Sequence, residues 1–134
     1  MNILITGVSR GLGRVLSAKV LAEGHSVWGI SSKDSDNEGI KELLSCKNFS
    51  YSQCDISRRD EVRQLLDKNK SKTALIDAVI LNAASSEEDI NSGKFDYDIF
   101  AKIFNTNLLS AAVFIEKIYN CLASECRDNL NLSI

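Results

Sequence analysis

Short apolar runs alternate with stretches of helical period along most of this chain. Ile3, Leu4 and Ile5 form a run that reads as a buried strand. Between Leu12 and Glu23 the residues Leu12, Val15, Leu16 and Val20 recur at helical spacing, and Gly24 supplies a stop. Val27–Ile30 predicts a second strand. Residues 31–38 are polar and read as a loop, after which Ile40, Leu43 and Leu44 mark a short helix. Phe49–Cys54 predicts a third strand. Ser57 with Asp60 reads as a capping box opening a helix whose buried stripe is Val62, Leu65 and Leu66. Ala78–Leu81 is a continuous apolar strand, followed by helical stretches at about 95–104 and 108–123. Leu130–Ile134 reads as the start of a fifth strand.

Strands separated by helices predict an α/β fold with right-handed crossovers and a parallel sheet covered on both faces. No repeat, low-complexity tract or linker interrupts the pattern, so residues 1–134 are expected to form one domain. In such a doubly wound, three-layer sheet the ligand lies at the carboxyl ends of the strands, beside the first one.

Composition narrows the function classes. Hydrophobic residues make up 44% and charged residues 25%, with a net charge of −2, which describes an ordinary soluble chain. No basic stripe points to nucleic acid. No stretch approaches the ~20 apolar residues of a bilayer span, so no membrane partner is expected. The N-terminus lacks a charged segment ahead of a long apolar core, so the expected compartment is the cytoplasm. The four cysteines, Cys46, Cys54, Cys121 and Cys126, include no C-x-x-C pair. They read as reduced thiols rather than metal ligands, and no metal site is expected. The single histidine, His25, falls in the turn before the second strand and takes no catalytic role.

The first chemistry-bearing feature is the turn Thr6-Gly7-x-x-x-Gly11-x-Gly13 between strand and helix. A helix start presents unpaired backbone N–H groups and partial positive charge, and glycine admits an anion close to them. Gly7, Ser9, Arg10, Gly11, Leu12 and Gly13 are therefore candidate phosphate contacts. The spacing differs from the G-x-G-x-x-G fingerprint of many dinucleotide sites. Polar residues also follow the other strands: Ser31, Ser32 and Lys33; Asp55 with Ile56; Asn82 with Ala83 and Ala84. Taken singly, Asp55 also reads as a loop residue, Asn82 as a strand-ending turn, and Asn107 as a helix interruption.

Taken together, these positions resemble the short-chain dehydrogenase/reductase family. The glycine turn has that family's T-G-x-x-x-G-x-G spacing, and Asn82-Ala83-Ala84 resembles its N-N-A-G, with Leu81 and Ala84 as departures. Asp77 precedes the fourth strand, as an acidic residue often does in the family. The resemblance implies a Rossmann-like fold in which Asp55 and Ile56 hold the adenine end of a dinucleotide. It also implies that Asn107, in Asn105-Thr106-Asn107-Leu108, is the catalytic asparagine whose backbone helps hold a proton-relay water. Extended-type epimerases usually show T-G-x-x-G-x-x-G, so the spacing argues against that branch.

Charge bears on the cofactor. NAD sites place a carboxylate after the second strand for the ribose 2′-hydroxyl. Here Ser31, Ser32 and Lys33 occupy that place, no carboxylate comes before Asp34, and Arg10 lies in the glycine turn. NADP(H) is the expected cofactor, with NAD(H) as the alternative.

The family's acid/base motif is Tyr-x-x-x-Lys. Here Tyr51, Tyr97 and Tyr119 are followed four residues on by Asp55, Ala101 and Ala123. The chain therefore resembles the N-terminal half of such a reductase, its sheet truncated after about five strands. The expected function is hydride transfer with a carbonyl or alcohol substrate, and a non-catalytic dinucleotide-binding module is the other reading. The helices at about 95–122 resemble those packed between subunits in family oligomers, so a homo-oligomer is expected there.

Overall fold

Alternation along the first strand sets the layers. Ile3 and Ile5 point to one side of the sheet and Leu4 to the other, and all three are buried. The computed structural model describes residues 1–85 and 96–129. In it β1 (Asn2–Thr6), β2 (Ser26–Ser31), β3 (Phe49–Gln53) and β4 (Ala78–Ile80) form one sheet in the order β3-β2-β1-β4. Every pairing is parallel, with Ile5 opposite Gly29 on one side and Ile80 on the other. The order reverses direction at β1, so β1 and β4 flank the switch point of a doubly wound, Rossmann-like sheet. The expected fifth strand, 130–134, lies outside the described residues.

Two cores flank the sheet. On one face α1 (Gly11–Ala22) and α2 (Glu38–Leu44) bring Leu16, Val20 and Leu43 onto Ile3, Ile5, Val27 and Phe49. On the other, α3 (Arg59–Lys68), α4 (Lys70–Ala74) and α6 (Ser110–Asn129) cover the sheet, with α5 (Tyr97–Phe104) leading into α6. Val62, Leu66, Val113, Phe114 and Ile118 pack there on Leu4, Trp28 and Ile30. A π-helical turn, Asn105–Leu109, joins α5 to α6. Asp77 holds β4 to β1, its carboxylate accepting the Asn2 N–H at 2.6 Å while its own N–H donates to Asn2 O at 2.8 Å.

Several details depart from the sequence reading. Leu12 and Val15 are 73% and 65% exposed, and the buried positions of α1 are Gly13 and Ser17. Apolar periodicity put Leu16 and Val20 on the core correctly but misplaced Leu12 and Val15, because the start of α1 approaches the backbone after β1 through Gly13, where a Cβ would not fit. The stop at Gly24 holds, with His25 N–H donating to Val20 O at 3.2 Å and Gly24 N–H to Leu21 O at 3.0 Å. Ser57 does not cap α3. The Asp55 carboxylate accepts from both Ser57 N–H (3.0 Å) and the Ser57 hydroxyl (2.7 Å), so the helix starts at Arg59 without a side-chain cap. Helix α4 had no sequence signal, whereas the π turn falls at the break between the two helical stretches, where Asn107 reads as a helix interruption.

Tyr97–Asn120 also meets the length and composition of a bilayer span, its most apolar 18-residue window having a mean hydropathy of 1.3. A count of uninterrupted apolar residues overlooks it, because polar residues break the run. Val113, Phe114 and Ile118 within it pack into the core.

Cys54 is buried and Cys46 is partly exposed. Burial, aided by the nearby Glu61 and Asp55 carboxylates, pushes the Cys54 thiol up to about 11. The unfolded thiol titrates near ~8.5. The folded state thus keeps a proton that the unfolded chain loses, and the stability from this group is full below ~8.5 and lost as pH rises through about 11. We predict that at mildly alkaline pH iodoacetamide labels Cys46 at least ~10-fold faster than Cys54, read by peptide mass spectrometry. Equal labelling of a folded sample would contradict this burial.

Candidate dinucleotide site

The turn after β1 is tied to both neighbouring strands. Gly7 N–H donates to Ile30 O of β2 at 2.7 Å. From beyond β4, Asn82 Nδ2 donates to Thr6 O at 3.1 Å, and Ala83 N–H donates to the buried Thr6 hydroxyl at 3.0 Å. Asn82 and Ala83 thus brace the turn with polar groups that would otherwise lie idle. Gly7 has φ +78°, and a Cβ there would come within 2.9 Å of Ala83 Cα. At Gly13 an added Cβ would collide with Gly7 O and the Asn82 side chain. These two glycines let helix, turn and the β4 loop meet without side chains between them.

Helix α1 then starts without a side-chain cap, preceded by extended Arg10 (φ −159°). The N–H groups of its first turn, at Gly11, Leu12 and Gly13, are the intrinsically unpaired ones of any helix start. No acidic residue occupies that turn. Twelve residues of aligned dipole and the open space beside Gly11, where an added Cβ would meet nothing within 4 Å, suit a pyrophosphate. Ser9 is partly buried and Arg10 exposed.

At the end of β2 the three candidate residues separate. Ser31 is buried, and its hydroxyl accepts the Lys33 N–H at 3.2 Å and meets the Tyr51 hydroxyl at 3.0 Å. Ser32 and Lys33 are exposed. Tyr51, absent from the sequence candidates, also bonds Ser31 O at 3.1 Å and Lys33 O, and Gln53 Nε2 donates to Ser32 O at 3.2 Å. Two side chains of β3 therefore clamp the backbone of 31–33. Burial raises the Tyr51 phenol above its ordinary value, with the Ser31 hydrogen bond pulling the other way. The available signal was strand periodicity, which puts residues 51 and 53 on one face. The Asp34 carboxylate turns into its own loop, accepting from Asp36 N–H at 2.8 Å and the Ser35 hydroxyl at 3.3 Å.

After β3, Asp55 is partly exposed with Ile56 buried behind it. A cavity of about 240 Å³ opens between Ile56, Ser57 and Arg59 on one side and Asn105, Leu109, Ser110 and Val113 on the other. Ala84 is exposed beyond Asn82 and Ala83. Asn107 lies in the π turn, where its side chain brackets the Ser85 backbone: Ser85 N–H donates to Oδ1 at 2.8 Å and Nδ2 donates to Ser85 O at 3.0 Å. Ser85 is a further residue that the sequence reading missed. Among the described residues, no three His, Cys, Asp or Glu side chains gather to hold a metal.

Residues 1–127 match the profile of the short chain dehydrogenase family. The chain belongs to that family. It is 27% identical over 114 residues to a benzil reductase ((S)-benzoin forming) of Saccharomyces cerevisiae, covering 81% of this chain and 43% of that protein. It is 26% identical over 112 residues to an NADPH-dependent pterin aldehyde reductase of Arabidopsis thaliana, covering 83% and 46%. The chain thus spans about half the length of the curated relatives it matches. A metagenomic short-chain oxidoreductase solved in complex with NADP superposes with a TM-score of 0.80 at 15% identity, covering 93% of this chain and 57% of that one, a likeness of fold.

Because Gly13 faces backbone, Gly13→Ala is expected to destabilise the folded chain by about 1–3 kcal/mol, the usual cost of overpacking. Urea unfolding of both proteins measures it, and coincident midpoints would show that the turn admits a side chain at Gly13.

Proposed function

We propose that this chain binds NADP(H) at the Thr6–Gly13 turn as the nucleotide-binding part of a carbonyl or alcohol oxidoreductase. The observation that carries the cofactor choice is the end of β2. Exposed Ser32 and Lys33 stand there on a clamped backbone, Arg10 is exposed in the adjoining turn, and the Asp34 carboxylate is engaged by its own loop. A 2′-phosphate gains charge-assisted hydrogen bonds from such groups, whereas the Asp34 carboxylate, the first after β2, turns Oδ1 to its own loop. The names of the Arabidopsis reductase and of the NADP-bound metagenomic oxidoreductase support the same choice.

In this reading the N–H groups at residues 11–13 hold the pyrophosphate. Arg10, Ser32 and Lys33 take the 2′-phosphate, and Ser31 positions them from inside. Asp55 and Ile56 hold the adenine end, and Asn82, Ala83 and Ala84 line the approach to the nicotinamide. When bound, the nicotinamide supplies or accepts the hydride. Asn107 is assigned the family's catalytic place, with its side chain fixing Ser85 and its backbone left to orient water.

The alternative is a module that binds the dinucleotide without turnover, and the placement of the tyrosines within residues 1–134 bears on it. The Tyr51 hydroxyl is committed to the β2 clamp, and Tyr97 and Tyr119 are each 70% exposed on the α5–α6 helix.

We also propose that this helix pairs with a second copy of the chain. Tyr97, Phe100, Phe104, Leu108, Ile115 and Tyr119 are exposed along it, and the Phe100 and Phe104 rings stack at 5.9 Å. In an antiparallel pair centred on Leu108, Phe104 would meet Ala112 and Tyr97 would meet Tyr119. Sedimentation velocity should show a dimer or larger species for the wild type and a shift toward monomer for Phe104→Glu. A monomeric wild type at high concentration would refute the pairing.

Fluorescence titration at low salt tests the cofactor. NADPH is expected to bind roughly 10- to 100-fold more tightly than NADH, as one charge-assisted bond of about 1.5–3 kcal/mol implies. Arg10→Ala and Lys33→Ala should weaken NADPH about tenfold or more while leaving NADH nearly unchanged. Tyr51→Phe should narrow the preference by releasing the 31–33 backbone. Equal affinities in the wild type would remove the NADP assignment, and no binding of either nucleotide would remove the site.

A further inference from the structure

At the opposite end of the sheet from the dinucleotide turn, a cavity of about 120 Å³ opens beneath the first residues of the strands. Its walls are mostly carbon: Ile3, Val27 and Trp28 from the sheet, and Leu75 and Ile76 from the turn leading into β4. One charged side chain lines it, Lys72 of α4.

Lys72 is incompletely compensated. Its ammonium lies 4.3 Å from the Trp28 ring centroid and donates to the Ser50 hydroxyl at 2.7 Å. The indole is itself fixed, with Nε1 donating to the Ser52 hydroxyl at 3.0 Å. Among the described residues no carboxylate forms an ion pair with Lys72, whereas Lys117 meets Asp67 at 2.9 Å and Lys41 meets Asp36 at 3.2 Å. The lysine is partly buried, and burial pulls its pKa below the ordinary lysine value. An ammonium has three N–H groups, and here one goes to a hydroxyl and the aromatic face attracts the charge without accepting a full hydrogen bond. A partly desolvated cation beside apolar walls gains most from an anion that is small, singly charged and attached to carbon. Phosphate is too strongly hydrated for such walls, and a neutral alcohol leaves the charge unanswered.

We propose that this cavity binds a small aliphatic monocarboxylate, its carboxylate paired with Lys72 and its tail against Trp28, Leu75 and Ile76. The volume limits the tail. A 150 Å³ cavity holds a benzene ring, so about 120 Å³ suits an acid of about five carbons. The site lies away from the carboxyl ends of the strands and shares no residue with the dinucleotide turn, so the two ligands are expected to bind together.

Trp28 is the only tryptophan in the chain, so its emission reports this cavity directly. The full chain is titrated with sodium pentanoate at constant ionic strength, with pentanol as the neutral control. Pentanoate should change Trp28 emission saturably, with half-saturation at about 1–30 mM, the range for a seven-atom ligand. Pentanol and the Lys72→Met variant should each show about tenfold weaker binding, and a thermal melt confirms that the variant is folded. Lys72→Arg keeps the cation and should retain saturable binding, which preserves the test if the methionine variant does not fold. The proposal fails if pentanoate gives no saturable change, if pentanol binds equally well, or if folded Lys72→Met binds pentanoate like the wild type.

Discussion

The structure depends on one close approach, between the start of α1 and the backbone leaving β1. With hydrogen in place of a side chain at Gly13, the helix end can sit against Gly7 O and Asn82. Its first-turn N–H groups then lie at the carboxyl edge of the sheet rather than a side chain's width above it. The burial pattern of α1 follows from the same constraint. Gly13 faces inward because no Cβ fits there, Ser17 is buried one turn on, and Leu12 and Val15 are left outside. Ser17 returns its hydroxyl to Gly13 O at 2.7 Å, so the only polar group carried inward is satisfied within the helix.

Around that approach the site divides into groups that hold the backbone and groups left facing outward. Thr6, Asn82, Ala83, Tyr51, Gln53 and the Ser31 hydroxyl bind protein atoms, and they fix three loops from three strands. Arg10, Ser32 and Lys33 stay exposed. Such a division suits recognition of an anion, since charged side chains gain more from a ligand when the backbone beneath them is already ordered. Asn107 extends it to the far side, where a π turn directs its amide onto Ser85. π turns inside helices are uncommon and recur at functional sites.

Much of this was legible in the sequence because it is local. Apolar runs at Ile3–Ile5, Val27–Ile30 and Ala78–Leu81 became β1, β2 and β4, and Val62, Leu65 and Leu66 became the inner stripe of α3. Those patterns are set by burial on a sheet face or a helix stripe, and burial acts on each segment independently. The failures share a different cause. Ser57 was read as a helix cap by spacing alone, but the Asp55 carboxylate two residues earlier is the stronger acceptor and takes its N–H and hydroxyl. Leu12 and Val15 were read as core by period alone, but the period does not say which face a crowded backbone will accept.

The sequence by itself determined the alternation of strands and helices, the glycine turn, the family, and the absence of a carboxylate before Asp34 at the end of the second strand. These are properties of neighbouring residues, and neighbours carry their own propensities and charges. Only the tertiary structure decided which polar residues are scaffold and which face outward. Ser31 and Ser32 are adjacent and chemically identical, yet one is buried against Tyr51 and the other exposed. The Lys72–Trp28–Ser50 cluster likewise exists only because α4 meets the starts of β2 and β3. Contacts between residues 20 or more apart are set by how packed layers meet, and no local pattern encodes them.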